Sequence, residues 1–342
     1  MPIDILIDSD PGMGYIGSDV DDNLAILWAL SDERVQVRGI TLTYGNVELQ
    51  EAWLSLSKTL REAHKEDIPF ALGCKKPLIR PYESAKEWKV RIAKQKGLPL
   101  VFDNSLLEGV EPLSPVSVSA AEFILSMVTK YPRLTILALG PLTNIALAIK
   151  LAPEKIANVE RIVIMGGSIN EAGNMSPVSE FNILCDPEAA EIVFSSGLPI
   201  TMVGLDVTHK VNIYLEEVLK AIGPEKSCSS QLTSFVVESI RKWIHVREAI
   251  FGQNYFNPHD AIAFAYLLYP ELFHVEKMYL LVETSGFRTL GEVIGVLPKQ
   301  RNRYPLIDFE EIKPADVCLQ IDEGRFKDLF FKFLQNLCKL GR

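Results

Sequence analysis

The sequence alternates short apolar runs with longer segments of helical periodicity, and this alternation constrains the fold more than any other feature. The predicted strands are Ile3–Ile7, Val35–Thr43, Ile68–Leu72, Leu134–Leu139, Arg161–Met165 and Ile200–Gly204; the predicted helices among them are Asn23–Leu30, Val47–His64, Val116–Lys130, Leu142–Leu151 and Pro187–Phe194. Strands that alternate with helices form βαβ crossovers. We therefore predict an α/β fold: an open, mostly parallel, Rossmann-like sheet with helices on both faces.

The second half of the chain has a different balance of elements. It is more helical from Tyr214 to Leu268, strand-like at Lys277–Thr284 and Glu292–Val296, and helical again at Gly324–Leu340. We therefore expect extra helices toward the C-terminal half. Because no repeat or low-complexity linker divides the chain, we predict a single domain, 1–342. The charged stretch Glu83–Gly97 predicts a solvated helix.

Charge and cysteine content exclude several classes of function. The net charge of −9 argues against nucleic acid or an anionic membrane as a main partner. The N-terminus has no basic region of the kind found in signal peptides, and no apolar stretch reaches the roughly 18 residues that span a membrane. Five cysteines without a C-x-x-C pair favour neither a disulfide framework nor a zinc site, so we predict a cytoplasmic protein.

The segment "DSDPGMGYIGSDVDD", Asp8–Asp22, follows the first predicted strand and is open to two interpretations. Gly12–Gly17 spells the G-x-G-x-x-G of dinucleotide-binding loops. However, carboxylates would repel a pyrophosphate, and the second strand ends in Leu42–Asn46 without the acidic residue that such sites need. Dipole stabilisation of a helix N-terminus explains the last two aspartates of the segment only. A carboxylate cluster at the end of a strand instead predicts a divalent-cation site.

A second enzyme class uses a D-x-D motif after its first strand. Haloacid-dehalogenase-type phosphatases begin in this way, with the first Asp as nucleophile. They also need a later G-D-x-x-x-D motif, which this sequence lacks. A phosphatase is therefore the minor alternative.

Motifs along nearly the whole chain resemble those of the inosine–uridine nucleoside hydrolases. "DSDPG" and "DDNLA" match the two halves of the opening family motif. The other matches, in order, are "GITLTYGN" (Gly39–Asn46), "ALGPLTNIALA" (from Ala138), "MGGSINEAGNMSPVSEFNILCDPEAA" (from Met165), "VGLDVTHK" (Val203–Lys210), "NPHDAIA" (from Asn257) and "VETSGFRTLG" (Val282–Gly291). So many matches in order make the resemblance specific.

The resemblance implies an enzyme that hydrolyses the N-glycosidic bond of ribonucleosides with calcium, releasing free base and ribose. It implies that calcium is held by the carboxylates of Asp10, Asp22 and Asp260 and by the backbone carbonyl of Leu139. It implies that the ribose is held by Asp21, Asn46, Glu180 and Asn182, with Asn174 near O5′ and Met165 beside the sugar. Asp10 would be the base and His259 the leaving-group acid. It also implies a homodimer or homotetramer. The residue pattern alone predicts that Asp186 is only a helix N-cap before Pro187.

The sequence departs from the family pattern in two places. Met13–Val20 stands where the family has one residue. We expect it to be a loop at the rim of the site, where Met13, Tyr15 and Ile16 cover the base or contact another subunit, and we expect Asp19 not to bind the ion. The segment between Cys74 and Leu113 keeps Gly97-Leu98 but lacks the histidine of the best-known members.

Base preference is therefore left open by the sequence. The candidates for contacting the base are Trp243, His245, Arg247, Phe251 and Tyr255. A nucleoside- or ribose-binding protein with little turnover is the remaining alternative. It would be distinguished from an enzyme by whether ribose is released.

Overall fold

The computed structural model describes residues 2–98, 104–223, 230–310 and 312–340. Its strands are β1 (Ile3–Ser9), β2 (Val35–Leu42), β3 (Phe70–Leu72), β4 (Thr135–Ala138), β5 (Arg161–Met165), β6 (Ile200–Val203), β7 (Ile213–Tyr214), β8 (Tyr255–Phe256), β9 (Phe273–Val282), β10 (Val293–Val296) and β11 (Ala315–Ile321). Its α-helices are α1 (Asp21–Ser31), α2 (Leu49–Glu62), α3 (Ala85–Gln95), α4 (Ala120–Lys130), α5 (Thr143–Leu151), α6 (Pro153–Ile156), α7 (Phe181–Cys185), α8 (Pro187–Phe194), α9 (Leu205–Thr208), α10 (Leu215–Ile222), α11 (Gln231–Phe251), α12 (His259–Leu268) and α13 (Glu323–Leu340).

The central sheet has nine strands in the order β10-β9-β11-β6-β5-β4-β1-β2-β3. All neighbours from β3 to β11 are parallel, whereas β9 pairs antiparallel with β11 and β10. From β1 the chain first builds outward through β2 and β3, and then returns to add β4 on the other side of β1. Open α/β sheets bind ligands at such a reversal, beyond the carboxyl ends of the strands. The predicted fold class is confirmed.

The central strands β4, β5 and β6 are buried at nearly every position, which explains why they are almost continuously apolar. Ile5 and Ile7 of β1 belong to one hydrophobic cluster, and Leu6 between them belongs to the cluster on the other face. Side chains alternate in this way along any strand. A strand covered by helices on both sides therefore needs apolar residues at every position.

A group of aromatic rings ties together helices α1, α12 and α13. Trp28 of α1 stacks on Phe333 with ring centroids 5.3 Å apart, and Phe264 and Phe330 lie 5.5 and 5.9 Å from it. Such ring pairs add to the free energy of burying their area. Helices α1 and α12 begin with acidic residues of the site described below, so this packing helps to fix where those residues lie.

Several helices begin later than the hydrophobic pattern predicts. Helix α2 follows Glu48 and helix α4 follows Ser119, each with a capping box. An N-cap residue has an extended backbone and so lies outside its helix. The predicted cap at Asp186 is confirmed, because its side chain accepts the N–H of Ala189. The helical stretch predicted from Tyr214 to Leu268 is interrupted by β8, which pairs with β7.

The Met13–Val20 segment is folded into the core rather than lying at the surface. Met13 is fully buried, its N–H donates to Asn23 Oδ1 at 3.0 Å, and its carbonyl accepts from Ser55 Oγ at 2.8 Å. Gly14 and Gly17 have φ values of 100° and 91°, which glycine adopts without strain. In the described ranges, no helix is both long enough and apolar enough to cross a bilayer.

Candidate active site

Three carboxylates meet beyond the carboxyl edge of the sheet. Asp21, Asp22 and Asp260 each place an oxygen within 4.8 Å of the other two, and all three side chains are buried. Asp21 and Asp22 open α1, and Asp260 lies in the first turn of α12, where its N–H donates to Asp21 Oδ2 at 3.2 Å. The amide groups of two helix N-termini thus face the cluster and favour negative charge there.

Asp10 follows β1 and lies beside this cluster. Its Oδ2 accepts the N–H of Asn46 at 2.6 Å, and its own N–H donates to Asp22 Oδ1 at 3.2 Å. Its Oδ1 is buried and has no hydrogen-bond partner among the residues that the structure describes. A Cβ at Gly140 would come within 2.6 Å of that Oδ1, so only glycine lets the backbone approach so closely. Asn46 links the two acids, because its Nδ2 donates to Asp22 Oδ2 at 2.9 Å.

A bound cation would relieve the electrostatic repulsion among these four buried carboxylates. Burial raises the pKa of Asp10, Asp21, Asp22 and Asp260, and repulsion among the aspartates raises each of them further. Among the described residues, no lysine or arginine forms an ion pair with any of the four. Within the part of the chain that the structure describes, the ligand atoms that cluster here are the carboxylate oxygens of Asp21, Asp22 and Asp260, with Asp10 Oδ1 beside them. These residues therefore fit a hard divalent cation.

A polar wall stands beside the acids, at the ends of β4 and β5. Glu180 caps α7 and accepts the N–H groups of Gly167, Asn182 and Ile183; its burial raises its pKa to about 7. The Nδ2 of Asn182 donates to the carbonyls of Leu139 at 2.7 Å and Met165 at 3.1 Å.

Two further predicted site residues complete the walls. Asn174 Oδ1 accepts the N–H of Phe181 at 2.9 Å. His259 is the first residue of α12, and its Nδ1 lies 2.8 Å from Thr208 Oγ1. Burial, then the neighbouring His209 and Arg247, lower the pKa of His259 well below its usual value, so the neutral ring is favoured near neutral pH.

These residues surround one cavity of about 510 Å³. The predicted residues that line it are Asp21, Asn46, Leu139, Met165, Asn174, Glu180, Asn182, His259 and Asp260. Asp10 and Asp22 do not line it; both are fully buried and accept hydrogen bonds from Asn46, which does. The structure therefore places nine of the predicted site residues around one space and the other two directly behind it, at the sheet edge where the fold expects a ligand.

The part of the cavity wall formed by α3, α11 and β8, called the far end below, is aromatic and cationic. Four of the predicted base contacts line it, namely Trp243, Arg247, Phe251 and Tyr255, whereas His245 is exposed outside it. Met13, Tyr15 and Ile16 do not line the cavity. The expectation that they cover a base is wrong, because Met13 packs in the core and the other two pack against it.

Trp88, Lys89 and Asp19 are among the cavity residues that were not predicted from sequence. Helix α3 confirms the predicted helix in Glu83–Gly97, but Trp88 and Lys89 face the cavity, so only its outer side is solvated. The sequence signal for an inward side was the four-residue spacing of Ala85, Lys89 and Ala93, which places all three on one face of α3. Asp19, from the inserted segment, also lines the cavity, and it could be found only from the fold.

Fold and cavity together define a class of enzyme in which a reversal of strand order presents acids and amides to a small ligand. A family model described as "Inosine-uridine preferring nucleoside hydrolase" matches residues 5–328. The chain belongs to this family. It is thus a hydrolase that acts on ribonucleosides, and the phosphatase alternative is set aside.

Individual relatives cover nearly the whole chain. A pyrimidine-specific ribonucleoside hydrolase of Escherichia coli is 36% identical over 98% of this chain and 99% of its own. Uridine nucleosidase 1 of Arabidopsis thaliana is 35% identical over 82% of this chain and 79% of its own. Among solved structures, a purine-preferring ribonucleoside hydrolase from Gardnerella vaginalis has a TM-score of 0.82 at 28% identity, covering 98% of this chain and 99% of its own.

Proposed function

We propose that the protein hydrolyses ribonucleosides with the help of a bound calcium ion and releases free base and ribose. The observation that carries the proposal is Asp10 Oδ1, a buried acceptor without a partner beside three clustered carboxylates. Desolvated acids of this kind are stabilised by a hard cation with oxygen ligands. The proposed ligands are the carboxylates of Asp10, Asp22 and Asp260 and the carbonyl of Leu139. Asp21 lies close enough to adjust the charge of the site.

The proposed reaction uses groups that the cavity already holds. When bound, calcium would lower the pKa of a water molecule and hold it near the sugar. Asp10 would take the proton of that water at a carboxylate oxygen. Cleavage of the bond from C1′ to the base leaves an oxocarbenium-like sugar, whose positive charge nearby carboxylates stabilise.

The polar wall would hold the ribose. Asp21, Asn46, Glu180 and Asn182 offer both acceptors and donors to vicinal hydroxyls. Asn174 would lie near O5′ and Met165 beside the sugar. His259 stays the predicted leaving-group acid. If His259→Ala loses as much turnover on a nucleoside with a good leaving base as on uridine, that role is excluded.

Substrate preference follows from the relatives together with the far end of the cavity. The bacterial and plant relatives named above are described as acting on pyrimidine ribonucleosides or uridine. At the far end, Lys89 and Arg247 supply hydrogen-bond donors, which suit the two carbonyl acceptors of uracil. We therefore propose uridine over purine nucleosides. A higher kcat/KM for inosine than for uridine would contradict this preference.

The proposal includes the organisation expected from sequence: a single domain, 1–342, assembled as a homodimer or homotetramer in the cytoplasm. Light scattering of the purified protein tests the assembly. A monomer at working concentration would contradict it.

The decisive variant is Asp10→Asn. The amide can still accept the N–H of Asn46, so the fold should persist, but the base and a charged ligand are lost. Ribose release from uridine at saturating calcium should fall by about 10³-fold or more, since base and cation site are both affected. Asp328→Asn, on the exposed side of α13, is the matched control and should keep full activity. Uridine binding by the unaltered protein without any ribose release would favour the binding-protein alternative.

A further inference from the structure

One buried lysine lines the same cavity as the acids. Lys89 is 4% exposed, yet it lines the cavity. Helix α3 holds it there through a capping box between Ser84 and Glu87, and Ala85 and Ala93 bury the rest of the same helix face. This helix belongs to the segment that departs from the family pattern.

The surroundings of Lys89 hold its ammonium group by ring faces rather than by hydrogen bonds. The Nζ atom lies 4.2 Å from the centroid of the Trp243 ring and 5.3 Å from that of Trp88. Within the described ranges no acceptor is hydrogen-bonded to this Nζ. A buried ammonium with three free donors is costly unless a ligand supplies acceptors. The Nε1 atoms of Trp88 and Trp243 are also buried and have no partner in the described part of the chain, so this part of the cavity is rich in donors.

A nucleoside bound by its ribose at the acid cluster would set its base against the remaining walls of the same cavity. Besides the acids and the polar wall, the cavity is lined by residues of α3, α11 and β8. The aromatic faces there suit a flat heterocycle. Of the two cations at the far end, Arg247 keeps its proton in proteins, whereas a buried lysine can release one.

The charges around Lys89 give it a pKa at which it can release a proton and take one up again. Burial, the largest effect, and the positive charge of Arg247 lower its pKa, whereas Asp19, Asp21 and Asp10 raise it, and the result is about 8. Asp19 comes from the inserted segment, which gives that segment a role in the site. A group with a pKa near the working pH can both hold and transfer a proton.

We propose that Lys89, rather than His259 to which the family resemblance gives this role, is the acid that protonates the departing nucleobase. This inference rests on the function proposed above. As the bond from C1′ to the base nitrogen breaks, its electron pair moves onto the base and its carbonyl oxygens. The Lys89 ammonium gives a proton to the base, the water oxygen bonds to C1′, and Asp10 receives the proton of the water. Solvent then removes the proton from Asp10 and returns one to the Lys89 amine.

The test compares two substrates of nearly equal size, uridine and 5-fluorouridine, whose base departs more readily as an anion. Lys89→Met keeps an unbranched side chain only one atom shorter, which can still pack on Trp243, but it removes the proton. It should lower kcat on uridine by about 10²-fold or more, with a distinctly smaller loss on 5-fluorouridine. The unaltered protein should turn over the two substrates at similar rates.

The matched control is Lys94→Met, on the exposed side of the same helix, which should change neither substrate's kcat. Thermal melting of both variants checks that α3 stays folded. If Lys89→Met lowers kcat equally on both substrates, or raises KM alone, then Lys89 only packs or binds, and the assignment is overturned. If the unaltered protein releases no ribose from any nucleoside, the proposed function fails first, and the assignment fails with it.

Discussion

At the scale of single residues, the site stores electrostatic repulsion that a cation would relieve. Burial adds a further cost away from the proposed ligands: the folded pKa of Glu180 is about 7, against 4.5 for the free group, because desolvation disfavours its charged form. Asp8 of β1 also has a pKa raised to about 7 by burial. Both groups bind a proton more tightly in the folded protein than in the unfolded chain.

The sign of the resulting pH dependence follows from linkage. Between about pH 4 and pH 7 the folded state holds protons that the unfolded state has lost, so stability declines as pH rises through this window. With chelator present, Glu180→Gln should flatten the fall in melting temperature between about pH 5 and pH 8. Exposed Glu33, changed to Gln, serves as the control. A slope as steep in Glu180→Gln as in the unaltered protein would contradict the assignment of this pKa.

At the scale of secondary-structure elements, helix α3 decides how the base end of the cavity is built. Its capping box has a close counterpart on α4, where Ser119 and Glu122 make the same pair of bonds. Loss of an N-cap serine costs about 1 kcal/mol of stability. Ser84→Ala and Ser119→Ala should therefore lower the melting temperature by similar amounts.

Only Ser84→Ala should affect substrate binding. Ser84→Ala should also raise KM for uridine, because Trp88 and Lys89 lie one turn from the cap, whereas Ser119→Ala should leave KM unchanged. Steady-state kinetics on both proteins measure the difference. Equal KM values would mean that α3 does not shape the base end.

The secondary-structure elements also show which features could be predicted from the sequence alone. Strands and helices followed from apolar periodicity, and the acid-rich segment Asp8–Asp22 indicated a cation site, because both signals are local. The inward face of α3 was missed because a lysine at a buried position is indistinguishable from a solvated one until its neighbours are known. The same limit applies to Met13. Its backbone is held by hydrogen bonds to Asn23 and Ser55, which lie 10 and 42 positions further along the chain and are brought to it only by the fold.

At the scale of the whole molecule, the C-terminal helix supports the active site from the opposite end of α1 and α12. Phe330 is fully buried against Trp28, and α1 carries Asp21 and Asp22 at its other end. Phe330→Ala should cost about 3–5 kcal/mol of stability, and should also weaken calcium-dependent activity. Phe309→Ala, in a small separate cluster with Tyr279 and Val296, should destabilise the protein without changing the calcium requirement. Titration of activity with calcium separates the two variants.

The central claim is that the clustered carboxylates bind one divalent cation on which hydrolysis depends. It is tested most directly by stripping the protein with chelator, returning calcium stepwise, and measuring both bound calcium and ribose released from uridine. We predict that turnover is absent at first, rises in proportion to the calcium bound, and reaches its plateau at one calcium per chain. Full ribose release by protein shown to contain no divalent cation would contradict the account.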